Sequence, residues 1–87
     1  MQRTGSNLDH ARAAAEITDI IREELDCRDI SLAVDTVLAD IPGWDSVSMS
    51  CIMIAIERQF GFEFVGNEAD RLTDFDSLVT ITLAKTS

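Results

Sequence analysis

PGWDSVSMSCIMIAIERQFG (residues 42–61) carries a complete helix together with its own start and stop signals. Pro42-Gly43 is strong turn chemistry, Asp45 stands where an N-cap carboxylate accepts the first unpaired amides, and Gly61 supplies a left-handed stop. The spacing predicts a helix over 46–60. At about 100° per residue, Met49, Ile52, Met53, Ile56 and Phe60 fall in one sector, which makes that sector the core face. Val47, Cys51 and Ile54 gather on nearly the opposite side, beside Arg58, where a soluble helix is ordinarily polar. This helix therefore has a second apolar strip, turned toward solvent.

Working outward, residues 26–44 show no sustained periodicity but hold Ile30, Leu32, Val34, Val37, Leu38 and Ile41 among aspartates. A loop this long in a compact domain is ordinarily functional or holds a short helical turn, and its apolar residues are expected to pin it across the bundle. Before it, residues 8–25 are strong helix formers without Gly or Pro, with Ala14, Ile17, Ile21 and Leu25 at helical spacing. His10, Arg12, Arg22, Glu23 and Glu24 lie mostly off that stripe and read as a solvated face. Met1 to Asn7 lack an apolar core and read as a frayed terminus, not a signal peptide. After Gly61, Phe62 to Val65 form a loop with a β-like character, and Asn67 to Leu72 a short helix capped by Asn67. Thr73, with Asp76 three residues on, reads as the cap of a last helix whose inward stripe is Phe75, Leu78, Val79, Thr82 and Leu83. The expected architecture is all-α: three longer helices and one short, in a single domain over 8–87.

Bulk properties narrow the function. Sixteen acidic against seven basic residues, net −9, exclude the cationic footprint that nucleic acid requires. An acidic surface suits basic protein patches instead. The nearly apolar run from Met49 to Ile56 is far too short to span a bilayer, so the expected setting is a cytoplasmic, membrane-free monomer. Cys27 and Cys51 fit reduced thiols there, and with one histidine and no Cys-x-x-Cys pair there is no zinc set. Asp70, Asp74 and Asp76 lack the glycine and the final glutamate of a calcium loop. One histidine, distant in sequence from both Asp-Ser pairs, offers no general base for a serine nucleophile, so an enzyme is not expected.

Ser46 lies in the first helical turn, where unpaired amides and the positive end of the helix dipole favour a phosphate. The turn before it presents the hydroxyl at a prominence, and the strip of Val47 and Ile54 lies alongside. Through Asp45-Ser46-Val47, preceded by Gly43-Trp44 and followed by Ile52, Ala55, Ile56, Glu57, Phe60 and Gly61, the chain resembles the acyl carrier proteins. The likeness also takes in Asp40 and the 73–83 segment, and so covers most of residues 8–83. It implies a small bundle with a long loop between its first two helices. It also implies 4′-phosphopantetheine, from coenzyme A, attached to Ser46 by a phosphopantetheinyl transferase, with Asp45 as helix cap and orienter of the site. Trp44, Val47, Cys51, Ile54 and Arg58 are the candidate docking residues for the acyl-activating, acyltransferase or synthase enzymes that such a carrier serves.

Asp76-Ser77-Leu78 is a second Asp-Ser-Leu match, but it lacks an exposed Pro-Gly turn and, with Thr73 as cap, lies beyond the first turn; Ser77 is read as an ordinary solvent-facing residue. The resemblance also departs at Ser48 and Cys51, two and five positions after the serine, where fatty-acid carriers commonly place acids. That points away from a housekeeping role, toward a specialised lipid, polyketide or other natural-product pathway whose partners read shape and apolar contact. Ser50, close to the core sector, is a place where the interior could gain room. For a long apolar cargo the space among Met49, Met53, Ile56, Phe60, Leu78 and Leu83 is the place to enter, though a filled core is the expectation. An aminoacyl or aryl carrier, and an unmodified acidic helical adaptor using the same strip, are the competing readings.

Overall fold

The structure, a computed structural model, describes residues 9–86; the segment read as a frayed terminus lies outside them. Helix α1 (His10–Glu24) starts where Asp9 accepts the Arg12 amide at 2.8 Å. It ends at Asp26, in the left-handed region at φ 51°, with the Cys27 and Asp26 amides donating back to the Arg22 and Glu23 carbonyls. This closure satisfies carbonyls that the helix leaves unpaired. The buried face of α1 is Ala13, Ile17, Ile20 and Ile21, whereas Ala14 and Leu25 are only partly buried. The predicted stripe was one residue off at its margins because α1 packs against both other helices, which widens its buried arc.

Helix α2 (Ser46–Phe60) has the predicted bounds, with Gly61 at φ 77° as its stop and the Gly61 and Phe62 amides both donating to the Glu57 carbonyl. Ile52 and Ile56 are fully buried; Met49, Met53 and Phe60 pack at the margin of the core. Ser50 is exposed, so it makes no room inside. Helix α3 (Phe75–Thr86) buries Phe75, Leu78, Val79 and Thr82. The short fourth helix is a four-residue 3-10 turn, Glu68–Arg71, and Asn67 makes no side-chain cap. Glu68, the first residue of that turn, ties it to its surroundings by accepting the Val65 amide at 2.7 Å and pairing with Lys85 at 3.2 Å. Residues 62–65 form no strand, and Phe62 and Phe64 meet edge to face with centroids 4.9 Å apart.

The loop between α1 and α2 is pinned, but not by all of its apolar side chains. Ile30, Leu38 and Ile41 are buried, while Val34 and Val37 are about half exposed or more. What holds the middle of the loop is backbone: the Leu38 amide donates to the Thr73 carbonyl, and the Phe75 and Asp76 amides donate to Thr36 and Val34. The loop thereby satisfies amides at the start of α3 that have no partner within that helix. Arg22, expected on a solvated face, instead donates from Nε to the Ile30 carbonyl at 2.9 Å and ties the loop to α1. Among the described residues no helix is long and apolar enough to cross a membrane.

Ile52→Val, which trims one methyl group from a fully buried side chain, should cost about 0.5–1.5 kcal/mol in urea denaturation, whereas Val47→Ser, at an exposed position, should stay within about 0.5 kcal/mol of the parent. Equal losses in the two variants would contradict this placement of the core.

Candidate functional site

The start of α2 is fixed by one residue on each side of the serine. Asp45 is extended (φ −147°, ψ −177°), and its carboxylate accepts the Ser48 amide at 2.7 Å. Ser48 in turn donates its hydroxyl to the Gly43 carbonyl at 3.0 Å, so the turn and the first helical turn are laced together. Gly43 sits at φ 86°, a conformation that side chains rarely adopt. The Ser48 amide, and after it the Ser48 hydroxyl, hold the Asp45 carboxyl below its ordinary value, against the opposing effect of desolvation. Sequence reasoning treated Ser48 only as a neutral position of the strip. Its role was nonetheless written in the Asp-x-x-Ser spacing, which sets the Ser48 amide three residues after a capping carboxylate.

Between these anchors Ser46 is exposed, and its hydroxyl has no hydrogen-bond partner among the described residues. Its environment is open to solvent on one side and faces the amide end of a fifteen-residue helix on the other. Trp44 is half-buried and packs against the core, with its amide donating to the Ile41 carbonyl at 3.0 Å, so it anchors the turn.

The second Asp-Ser pair shows what a committed serine looks like. Asp74, not Thr73, caps α3, because its carboxylate accepts the Ser77 amide at 2.8 Å. Ser77 therefore lies inside the first turn, contrary to expectation, and it is part-buried. Its hydroxyl donates to the Asp74 carbonyl at 2.7 Å and lies 3.1 and 3.2 Å from the Thr73 and Asp74 amides that donate to it. In helix register Ser77 is the counterpart of Ser48, both standing three residues after the cap aspartate, and not of Ser46. His10 is nearer this pair than its sequence position implied: its Nε2 lies 3.2 Å from Asp76 Oδ1. The Ser77 hydroxyl, however, is bonded to Asp74 and not to the imidazole, so no nucleophile and base are paired there.

Along the solvent side of α2, Val47 is 72% exposed and Ile54 48%. Cys51, Ile54 and Arg58 line one shallow cleft with Ala55 and with Glu24 of α1, while Val47 lies closer to the helix start. The structure thus brings together three of the five candidate docking residues, keeps Val47 on the approach to Ser46, and gives Trp44 a packing role. A second, more apolar cleft, lined by Cys27, Ile30, Leu32, Ile41 and Pro42, lies in the loop before the turn. The apolar residues scattered through 26–44 were its signal.

These features define a small helical bundle with a braced turn delivering one free serine to a helix start. No family model matches the chain. A curated acyl carrier protein of Campylobacter hominis is 28% identical over 65 residues, which cover 75% of this chain and 82% of that protein. The solution structure of a holo acyl carrier protein from Geobacter metallireducens superposes with a TM-score of 0.77 at 26% identity, covering 84% of each chain. In sequence and in fold the chain is thus similar to acyl carrier proteins.

Because the Asp45 pKa is lowered on folding, its contribution to stability is full above the ordinary aspartate value of 3.8 and fades as pH falls through the lower folded value. Asp45→Ala should therefore lower Tm at pH 7, with the difference from the parent closing in strong acid. Asp45→Asn, which keeps a capping oxygen, should stay near the parent at pH 7. A Tm gap for Asp45→Ala that is the same at pH 7 and pH 2 would contradict the cap. Ser77→Ala should cost about 0.5–2 kcal/mol in urea denaturation through loss of the α3 cap network, and no loss would remove that assignment.

Proposed function

We propose that this protein carries acyl groups as thioesters on a 4′-phosphopantetheine arm attached to Ser46, and presents them to partner enzymes of a specialised biosynthetic pathway. The observation that carries this reading is the contrast between two helix-start Asp-Ser pairs. The Ser46 hydroxyl is exposed and uncommitted, while every bonding capacity of Ser77 is used in its own cap.

The residues fit the group. A phosphodiester on Ser46 would sit at the amide end of α2, where the helix dipole offsets its charge and that of the neighbouring Asp45. In the loading step the Ser46 hydroxyl oxygen forms a bond to the β-phosphorus of coenzyme A. The diphosphate bond breaks, adenosine 3′,5′-bisphosphate leaves, and the serine proton passes to a base on the transferase. The arm's terminal thiol supplies the thioester linkage when an acyl group is bound. This chain's residues contribute position and recognition: Asp45 and Ser48 hold the serine at the tip of α2, and Val47, Cys51, Ile54 and Arg58 offer a surface for docking.

That surface supports the specialised reading. Where acids would give a carrier a charged recognition face, Ser48 is tied into the turn and Cys51 is exposed and uncharged beside Ile54. Partners of this carrier dock on apolar contact, with the overall negative charge steering approach. Weak docking that releases quickly suits a shuttle between active sites.

Incubation with coenzyme A and a promiscuous phosphopantetheinyl transferase should raise the intact mass by one phosphopantetheinyl group. Ser46→Ala should abolish the gain and Ser77→Ala should leave it. No added mass in the parent protein would overturn the proposal. Val47→Glu and Ile54→Glu should slow transfer or acylation about tenfold or more, since each places a charge against an apolar contact, while helical circular dichroism stays unchanged. Parent-like rates in both would dissociate the strip from docking.

A further inference from the structure

The core of this bundle contains one polar side chain that its fold does not explain. Thr82, on the inward face of α3, is fully buried, and its hydroxyl has no hydrogen-bond partner among the described residues. The other inward residues of α3, namely Phe75, Leu78 and Val79, are all apolar. The helices also show how a threonine is ordinarily accommodated. Thr18 donates to the Ala14 carbonyl at 2.7 Å and Thr86 to the Leu83 carbonyl at 3.2 Å, each satisfied by its own helix. Thr82 takes neither route.

A buried hydroxyl without a partner is unfavourable, and valine would fill almost the same volume without that penalty. The unsatisfied group sits in a core that includes Ile17, Ile21, Ile52 and Ile56, with the flexible, partly buried Met49 and Met53 packed at its margin. Unbranched thioether side chains yield more readily than branched ones, so this margin is where the core can open. Among the described residues Thr82 is the one buried polar side chain of that core.

We propose that Thr82 is a specificity-determining residue, which selects acyl chains bearing an oxo or hydroxyl group by supplying that oxygen with its one hydrogen-bonding partner in the core. The inference rests on the attachment of cargo at Ser46. A saturated chain in the same space leaves the hydroxyl unpaired, whereas a ketone oxygen accepts its proton and a cargo hydroxyl can donate to its oxygen. The discrimination comes from the same asymmetry that lets a hydrogen-bonding pocket reject an analogue lacking the polar group.

The test compares the parent, Thr82→Val and Thr82→Ser, each loaded from synthetic coenzyme A derivatives with octanoyl, 3-oxooctanoyl or 5-oxooctanoyl groups. Intact mass confirms loading before thermal unfolding is recorded. In the parent, at least one oxo form should melt about 4–8 °C above the octanoyl form, the shift expected for one newly satisfied buried hydrogen bond in a domain of this size. The gap should vanish in Thr82→Val, persist in Thr82→Ser, and appear in the parent as a shift of the Thr82 methyl resonance between the octanoyl and oxo forms. Unloaded Thr82→Val should melt at or above the parent. Equal melting of all loaded parent forms, or a gap that survives in Thr82→Val, overturns the inference while leaving attachment at Ser46 intact. If Thr82→Val does not fold, an unmoved Thr82 methyl resonance in the parent overturns it equally. Failure of loading itself overturns the attachment reading and this inference with it.

Discussion

The hydrogen bond from the Ser48 amide to the Asp45 carboxylate, closed by the Ser48 hydroxyl on the Gly43 carbonyl, is the constraint on which the rest of the site depends. It fixes where α2 begins, and with that the direction of every side chain the helix carries. Ile52 and Ile56 then fall in the core, Val47 and Ile54 face solvent, and Ser46 stands at the tip with its hydroxyl free. A helix register displaced by one residue would rotate its faces by about 100° relative to the bundle and turn Ile52 and Ile56 out of the core.

Behind that cap the long loop acts as a brace. Its backbone satisfies the first amides of α3, Arg22 ties it to α1, and Trp44 and Ile41 seat its end on the core. The helix start is thus held from the loop side, while the solvent side of α2 is left uncovered. The exposed Ser46 thereby keeps a fixed relation to the exposed apolar face of α2.

Much of this was legible in the sequence, and what was missed has common physical causes. The bounds of α2 followed from Asp45 and Gly61 because cap, periodicity and stop all agreed. The α3 cap was misplaced because Thr73 and Asp74 are both good capping residues, and only the reciprocal bonds of Ser77 distinguish them. Yet Asp45-x-x-Ser48 and Asp74-x-x-Ser77 share a spacing that, read as a cap, pairs Ser77 with Ser48 and separates it from Ser46. Val34 and Val37 were expected to pack since side-chain hydropathy carries no record of backbone pairing, which is what holds them. His10 met Asp76 through tertiary contact between elements far apart in sequence, and Thr82 counted as an ordinary member of the α3 stripe because its missing partner is visible only in three dimensions.

The central claim is that one of two helix-start serines is chemically available and the other is not. Peptide mapping of the full protein, after exposure to coenzyme A and a phosphopantetheinyl transferase, tests it most directly. The account predicts a single modified peptide, with the group on Ser46. Modification at Ser77, or at neither serine, would contradict it.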